Sequence, residues 1–135
     1  MLGYQSEKYF ENNIRTASPA QLLLMLFDGA IRFLKIAIDS TNRHDYQNAN
    51  VHYQKTQKII QEFIITMDQK SPFAKQLIPL YDFMYRQLID ANIRKDVVPA
   101  EDVLKLLIEL RETWYQASKV SPLRLVTNKD HLNNG

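Results

Sequence analysis

The stretch Thr16–Leu34 (TASPAQLLLMLFDGAIRFL) constrains the fold more than any other part of this chain. Ser18 suits a helix N-cap, because its hydroxyl can accept from a free backbone N–H of the first turn. Pro19 then takes the first helical position, where a missing N–H costs nothing. Gln21 stands three residues after Ser18 and completes a capping-box pattern. The helix that starts here is predicted to run to about Thr41. Its polar residues Gln21, Asp28, Arg32, Lys35 and Asp39 share one narrow stripe at ~100° per residue. The apolar arc left over spans roughly 260°, where a surface helix needs little more than ~100°. Neighbouring helices or a partner must cover that excess.

Three more helical segments follow. The second is predicted from near Asp45 to near Met67, with Tyr46, Ala49, Tyr53, Thr56, Ile60, Phe63 and Met67 in alternating three- and four-residue steps. Ser71 and Pro72 repeat the cap-and-proline signature and predict the start of the third, whose seam is Leu77, Tyr81, Met84, Leu88 and Ala91. Pro79 interrupts it. It removes a backbone bond and clashes with the preceding turn, at ~3 kcal/mol in a straight helix, so a kink or a separate turn over 72–77 is expected. The fourth is predicted from Pro99, with Glu101 and Asp102 near the positive end of its dipole. Its seam is Val103, Leu107, Leu110, Trp114 and Ala117.

Four amphipathic helices joined by short connections predict an all-α, antiparallel up-down-up-down four-helix bundle. The expected organisation is an N-terminal arm over 1–17, the bundle over 18–119 and a disordered C-terminal tail over 120–135 that includes Pro122. Three glycines and five prolines in 135 residues leave little material for the turns of an all-β fold.

Charge and motifs exclude several function classes. A net charge of +2 with scattered cations gives no nucleic-acid footprint. No apolar run approaches the ~18 residues of a membrane span, and the first residues lack the pattern of a signal peptide. The absence of cysteine suits a reducing compartment, with the cytoplasm as default. A di-iron bundle needs inward glutamates and Glu-x-x-His pairs, and the chain has none. His44, His52 and His131 fall in a loop, on a helix surface and in the tail. Ser18, Ser71 and Ser121 each precede a proline, and no glycine-rich phosphate loop exists. No catalytic residue, metal site or cofactor site is expected, and Gly29 is read as a point of close approach, of a neighbouring helix first and of a bound peptide as the alternative.

The candidate functional surface is apolar residues beside the seams. These are Leu22, Met25 and Phe33 on the first helix, with Ile36 beside them, and Val51 and Ile65 on the second. Ile78, Tyr85 and Ile89 lie on the third, and Leu104, Ile108 and Tyr115 on the fourth. Tyr9, Phe10 and Ile14 add apolar points to the arm, which is expected to pack into a groove and compete with a partner there. Together they favour a chain that binds an amphipathic segment or self-associates.

Two blocks carry a resemblance. TASPAQLLLMLFDGAIRFL, followed about 45 residues later by LYDFMYRQLIDANIRKD, resembles the FliS family of flagellar export chaperones. The usual forms there are close to TASPEELLLMLYDGAIRFL and LYDYMYRRLxxANLRKD, and the likeness runs from about Tyr9 to Ser118. It implies a cytoplasmic four-helix protein that binds the disordered C-terminal segment of flagellin, prevents premature polymerisation and keeps the subunit competent for type III export. The residues above would then line the flagellin groove. The export apparatus or a co-chaperone stays open as a further partner, and a homodimer through the surplus edges is the alternative. No nucleic acid and no membrane insertion are implied. Where the family has a glycine-aspartate turn, this chain has Arg43-His44-Asp45, which predicts a left-handed residue at Asn42 or His44. Pro79 also departs from the family pattern.

Overall fold

The computed structural model describes residues 17–120, which form four α-helices: α1 Pro19–Asn42, α2 Tyr46–Thr66, α3 Ala74–Arg94 and α4 Val97–Val120. Successive helices pack on one another and α4 closes against α1, giving the antiparallel up-down-up-down bundle. The arm and the tail lie outside the described residues, apart from Ala17 and Val120.

The helix starts follow from local chemistry. At α1 the capping box is complete: Gln21 N–H donates to Ser18 Oγ at 3.2 Å, and Ser18 N–H donates to Gln21 Oε1 at 2.9 Å. At α2, Asp45 Oδ1 accepts from Asn48 N–H at 3.2 Å. The two later starts correct the sequence reading. Ser71 does not cap a helix beginning at Pro72. Its hydroxyl accepts from Phe73 N–H and its carbonyl from Ala74 N–H, so 71–74 close a tight turn before α3 begins. Asp96, not the residue before Pro99, opens α4, with its Oδ1 accepting from Val98 N–H at 3.0 Å. Pro99 therefore sits within the first turn, where N–H groups are free in any case. Glu101 and Asp102 fall beyond that turn, so the dipole advantage expected for them is lost.

Pro79 lies inside α3, which continues through it. The one carbonyl deprived of a donor belongs to Lys75, four residues back on the exposed side, where water can serve it.

The seams predicted for α2, α3 and α4 supply much of the core, and α1 adds its own buried face. Phe27, Ala30, Leu34 and Ala37 of α1 meet Ala49, Tyr53, Ile60 and Phe63 of α2, Tyr81, Met84, Leu88 and Ala91 of α3, and Ala100, Val103 and Leu107 of α4. Five seam positions, Met67, Leu77, Leu110, Trp114 and Ala117, are only partly buried, and Tyr46 at the start of α2 is 37% exposed.

The core is graded along its axis. At the pole holding the α1–α2 and α3–α4 turns, most buried residues are small, Ala37, Ser40, Thr41, Ala49, Ala91 and Ala100, with the Tyr53 ring reaching in beside Thr41 as the exception. Small side chains permit close helix approach, and Asn48 Nδ2 there donates to Ser40 Oγ at 2.8 Å. Towards the opposite pole the core turns aromatic. The Phe27 and Phe63 rings lie 4.6 Å apart, and Phe63 and Tyr81 5.3 Å. Gly29 is buried with Ile59 Cδ1 of α2 3.4 Å from where a Cβ would stand, as expected for close approach of two helices.

Both tight turns at the small-residue pole use left-handed residues other than glycine. His44 has φ 61° and Lys95 φ 56°. At the first, Asp45 N–H donates to Ser40 O and His44 N–H to Thr41 O, the paired bonds of a Schellman motif. At the second, Asp96 N–H donates to Ala91 O at 3.1 Å. The left-handed residue predicted at Asn42 or His44 is His44.

Candidate functional site

Helix geometry distributes the candidate residues over several faces. Phe33 lies on the α1–α2 side. Its ring is 6.0 Å from that of His52, with the Arg32 guanidinium and Lys55 Nζ at 5.2 and 5.3 Å from its centroid. Leu22, Met25 and Ile36 follow the same helical stripe as Phe33 and, like it, are half-buried. Phe27, by contrast, is fully buried, so the other edge of the α1 arc belongs partly to the core.

Tyr85 marks the α2–α3 side, where its hydroxyl accepts from Gln61 Nε2 at 3.1 Å. Ile78 and Ile89 share its stripe and are half-buried. Asn92 Nδ2 donates to Asn50 Oδ1 at 2.8 Å across the same pair of helices. On α4, Leu104, Ile108 and Tyr115 form a third stripe, and Arg111 lies on it. The Arg111 guanidinium pairs with Asp28 of α1 at 2.9 Å, so this stripe borders the α1–α4 side. The Asp28 hydrogen bond holds the Arg111 pKa above its ordinary value. Arg111 and Lys119 also stand 5.1 and 4.4 Å over the Tyr115 ring.

Val51 and Ile65 lie opposite the α2 seam. They are 42% and 73% exposed, which a core role cannot explain. Tyr9, Phe10 and Ile14 lie outside the described residues. The candidates therefore form three stripes, half-buried except for the exposed Ile108, and a pair of outward residues on α2 rather than one continuous groove.

Other exposed apolar residues were not among those singled out: Phe73, Phe83, Ile93 and Val98. Ile93 and Val98 flank the Lys95 turn. For Phe83, Ile93 and Val98 the signal was distance from the seam, the criterion that singled out Val51 and Ile65, whereas Phe73 precedes its helix and has no seam position.

At the aromatic pole a pocket of about 310 Å³ opens among the start of α1, the end of α2, the α2–α3 connection and α4. Leu22, Leu26, Met67, Phe73 and Trp114 supply apolar walls, with Tyr81 at its side. The Phe73 and Trp114 rings meet edge-on at 6.5 Å. Burial pushes the Tyr81 hydroxyl up to about 12, with Trp114 offsetting part of the shift. Met67 and Trp114, read from periodicity as core, are wall residues of this opening.

Among the described residues no cluster of His, Asp and Glu could hold a metal ion, and no helix is long and apolar enough to cross a membrane.

The family model described as Flagellar protein FliS matches residues 2–121. The chain is 33% identical over 109 residues to the Flagellar secretion chaperone FliS of Bacillus subtilis (strain 168), covering 81% of this chain and 82% of that protein. It is 33% identical over 115 residues to the Flagellar secretion chaperone FliS of Escherichia coli (strain K12), covering 83% and 84%. Against the protein of the same name from Salmonella typhimurium, identity is 34% over 111 residues, covering 80% and 82%.

Proposed function

Since this chain belongs to the FliS family of flagellar secretion chaperones, we propose that it binds the C-terminal segment of flagellin. It holds that segment unpolymerised and ready for type III flagellar export. The observation that carries this reading is the dispersal of apolar side chains around the bundle. Phe33, Tyr85 and Tyr115 mark three different sides, and Ile65 stands on a fourth surface. A rigid globular partner would need one contiguous patch. A chain disordered when free can wrap across all of these stripes.

Ordering such a segment costs ~2–5 kcal/mol or more, so contact must be spread over a long path, and affinity per unit area stays low. That combination suits a partner that has to be released. Tyr9, Phe10 and Ile14 contribute to the same surface from the N-terminal segment, which competes with flagellin for it. The work is done by binding alone, in the bacterial cytosol, and requires no catalytic group.

The direct test mixes the full chain with flagellin that retains or lacks its C-terminal segment and measures binding by titration calorimetry. Binding is expected to depend on the segment. Equal binding to both forms overturns the reading, as does a tight homodimer that ignores both.

A further inference from the structure

We propose that the pocket at the aromatic pole is the docking site of this chain's own C-terminal segment, with Leu123 and Leu125 as its anchors. α4 carries Trp114 into the pocket wall and is described as far as Val120, six residues or ~9 Å further along its axis. In the sequence, Pro122 lacks the N–H that a continuing helix needs and disfavours helical backbone at the residue before it, which suits a turn of the chain at this pole. From Val120, three to five residues reach ~10–17 Å, enough to bring residues 123–125 back to the pocket.

Size and charge select this segment. About 310 Å³ lies at the small end of ligand pockets, room for a few aliphatic side chains but not for a helix face. Residues 122–126 read PLRLV, three aliphatic residues within four positions. The N-terminal segment spaces Tyr4, Tyr9, Phe10 and Ile14 over eleven residues, a pattern suited to a long groove rather than a compact hole. Among the described residues, the charged ones lining the pocket are Glu62 and Asp68, with no basic residue beside them, and Glu62 is the one that matters for the match. Arg124 stands between the two leucines and supplies the complementary charge. Among the described residues Glu62 belongs to no ion pair.

Trp114 is the chain's one tryptophan and reports on its own pocket. The experiment compares acrylamide quenching and emission maximum of the full-length chain with those of full-length Leu123→Asp/Leu125→Asp. Far-UV circular dichroism checks that helicity is unchanged. Losing a buried leucine lowers the docked-to-open ratio roughly tenfold or more, so the double variant should quench more steeply and emit further to the red. Arg124→Glu should move both readings the same way by less, and Leu132→Asp, later in the same tail, should leave them unchanged. Unchanged quenching in the double variant overturns the proposal. So does an equal effect from Leu132→Asp. Exposure of Trp114 by Phe10→Asp/Ile14→Asp but not by the tail variant also overturns it, naming the N-terminal segment as occupant.

Discussion

The two left-handed turns make a quantitative prediction, because their strain and their compensation are separable. A non-glycine residue in this conformation costs about 1–2 kcal/mol. Glycine removes that cost but forfeits roughly 0.5–1 kcal/mol through the greater freedom of the unfolded chain. His44→Gly and Lys95→Gly should each gain about 0.5–1 kcal/mol from the backbone alone. Both side chains, however, rest against Tyr46: the His44 ring at 5.6 Å and Lys95 Nζ at 5.1 Å from its centroid. An exposed cation–ring contact is worth ~0.5–1 kcal/mol, enough to cancel the gain at Lys95. In the natural sequence the glycine variants should therefore be close to neutral. In a Tyr46→Ala background the compensation is absent, and each should stabilise by about 0.5–1 kcal/mol. Urea unfolding followed at 222 nm measures this, with an unchanged m-value showing that the midpoint shift is stability. Destabilisation by more than about 1 kcal/mol in the Tyr46→Ala background refutes the reasoning, since the left-handed backbone would then carry no removable strain.

Gly29→Ala is expected to be neutral or to stabilise by up to ~1 kcal/mol, because helix propensity improves and the new methyl meets only the flexible end of Ile59 at 3.4 Å. Thermal unfolding checks this, and a loss above that size means the α1–α2 contact cannot give. Tyr81, 1% exposed, has its pKa raised to about 12 against ~10 unfolded. Its contribution is complete below pH ~10 and is lost as pH rises towards 12, an effect of roughly 2–3 kcal/mol. Tyr81→Phe should flatten the fall in urea midpoint over that range. Ile108→Asp and Tyr85→Asp should each weaken flagellin binding about tenfold or more while the far-UV spectrum persists. Unchanged affinity in both means the partner takes other sides of the bundle.

What the sequence made legible is what depends on nearest neighbours. Ser18 and Gln21 announced α1 because a capping box is complete within four residues. The α3 seam was legible because burial at Tyr81, Met84, Leu88 and Ala91 follows helical spacing alone. Two starts were misread where a proline outweighed the polar residue that acts. Asp96 caps α4 although Pro99 marks the more familiar position, and Ser71 spends its hydroxyl on a turn. Lys95 carries no sign of its left-handed backbone, which Asp96 and Ala91 impose through a bond closed across the turn. Among the candidate residues, the exposure of Val51 and Ile65 was legible because they oppose a seam. Periodicity could not separate core from wall at Met67 or Trp114. Spacing gives an angle around one helix, and only the neighbours decide whether that angle is covered.

The two poles also differ as mechanical parts. Asp45 ends one turn and caps the next helix, and Asp96 does the same, so at that pole each helix pair is joined without slack. The other pole has the longer Met67–Phe73 connection, an opening between aromatic walls and the first and last turns of the bundle. The molecule is thus a clamp with a riveted end and a sprung end. Local opening draws on the least cross-braced part of a structure. On the proposed chaperone role, uptake and release of a partner are expected to begin at the sprung end, while the riveted end holds the helices together.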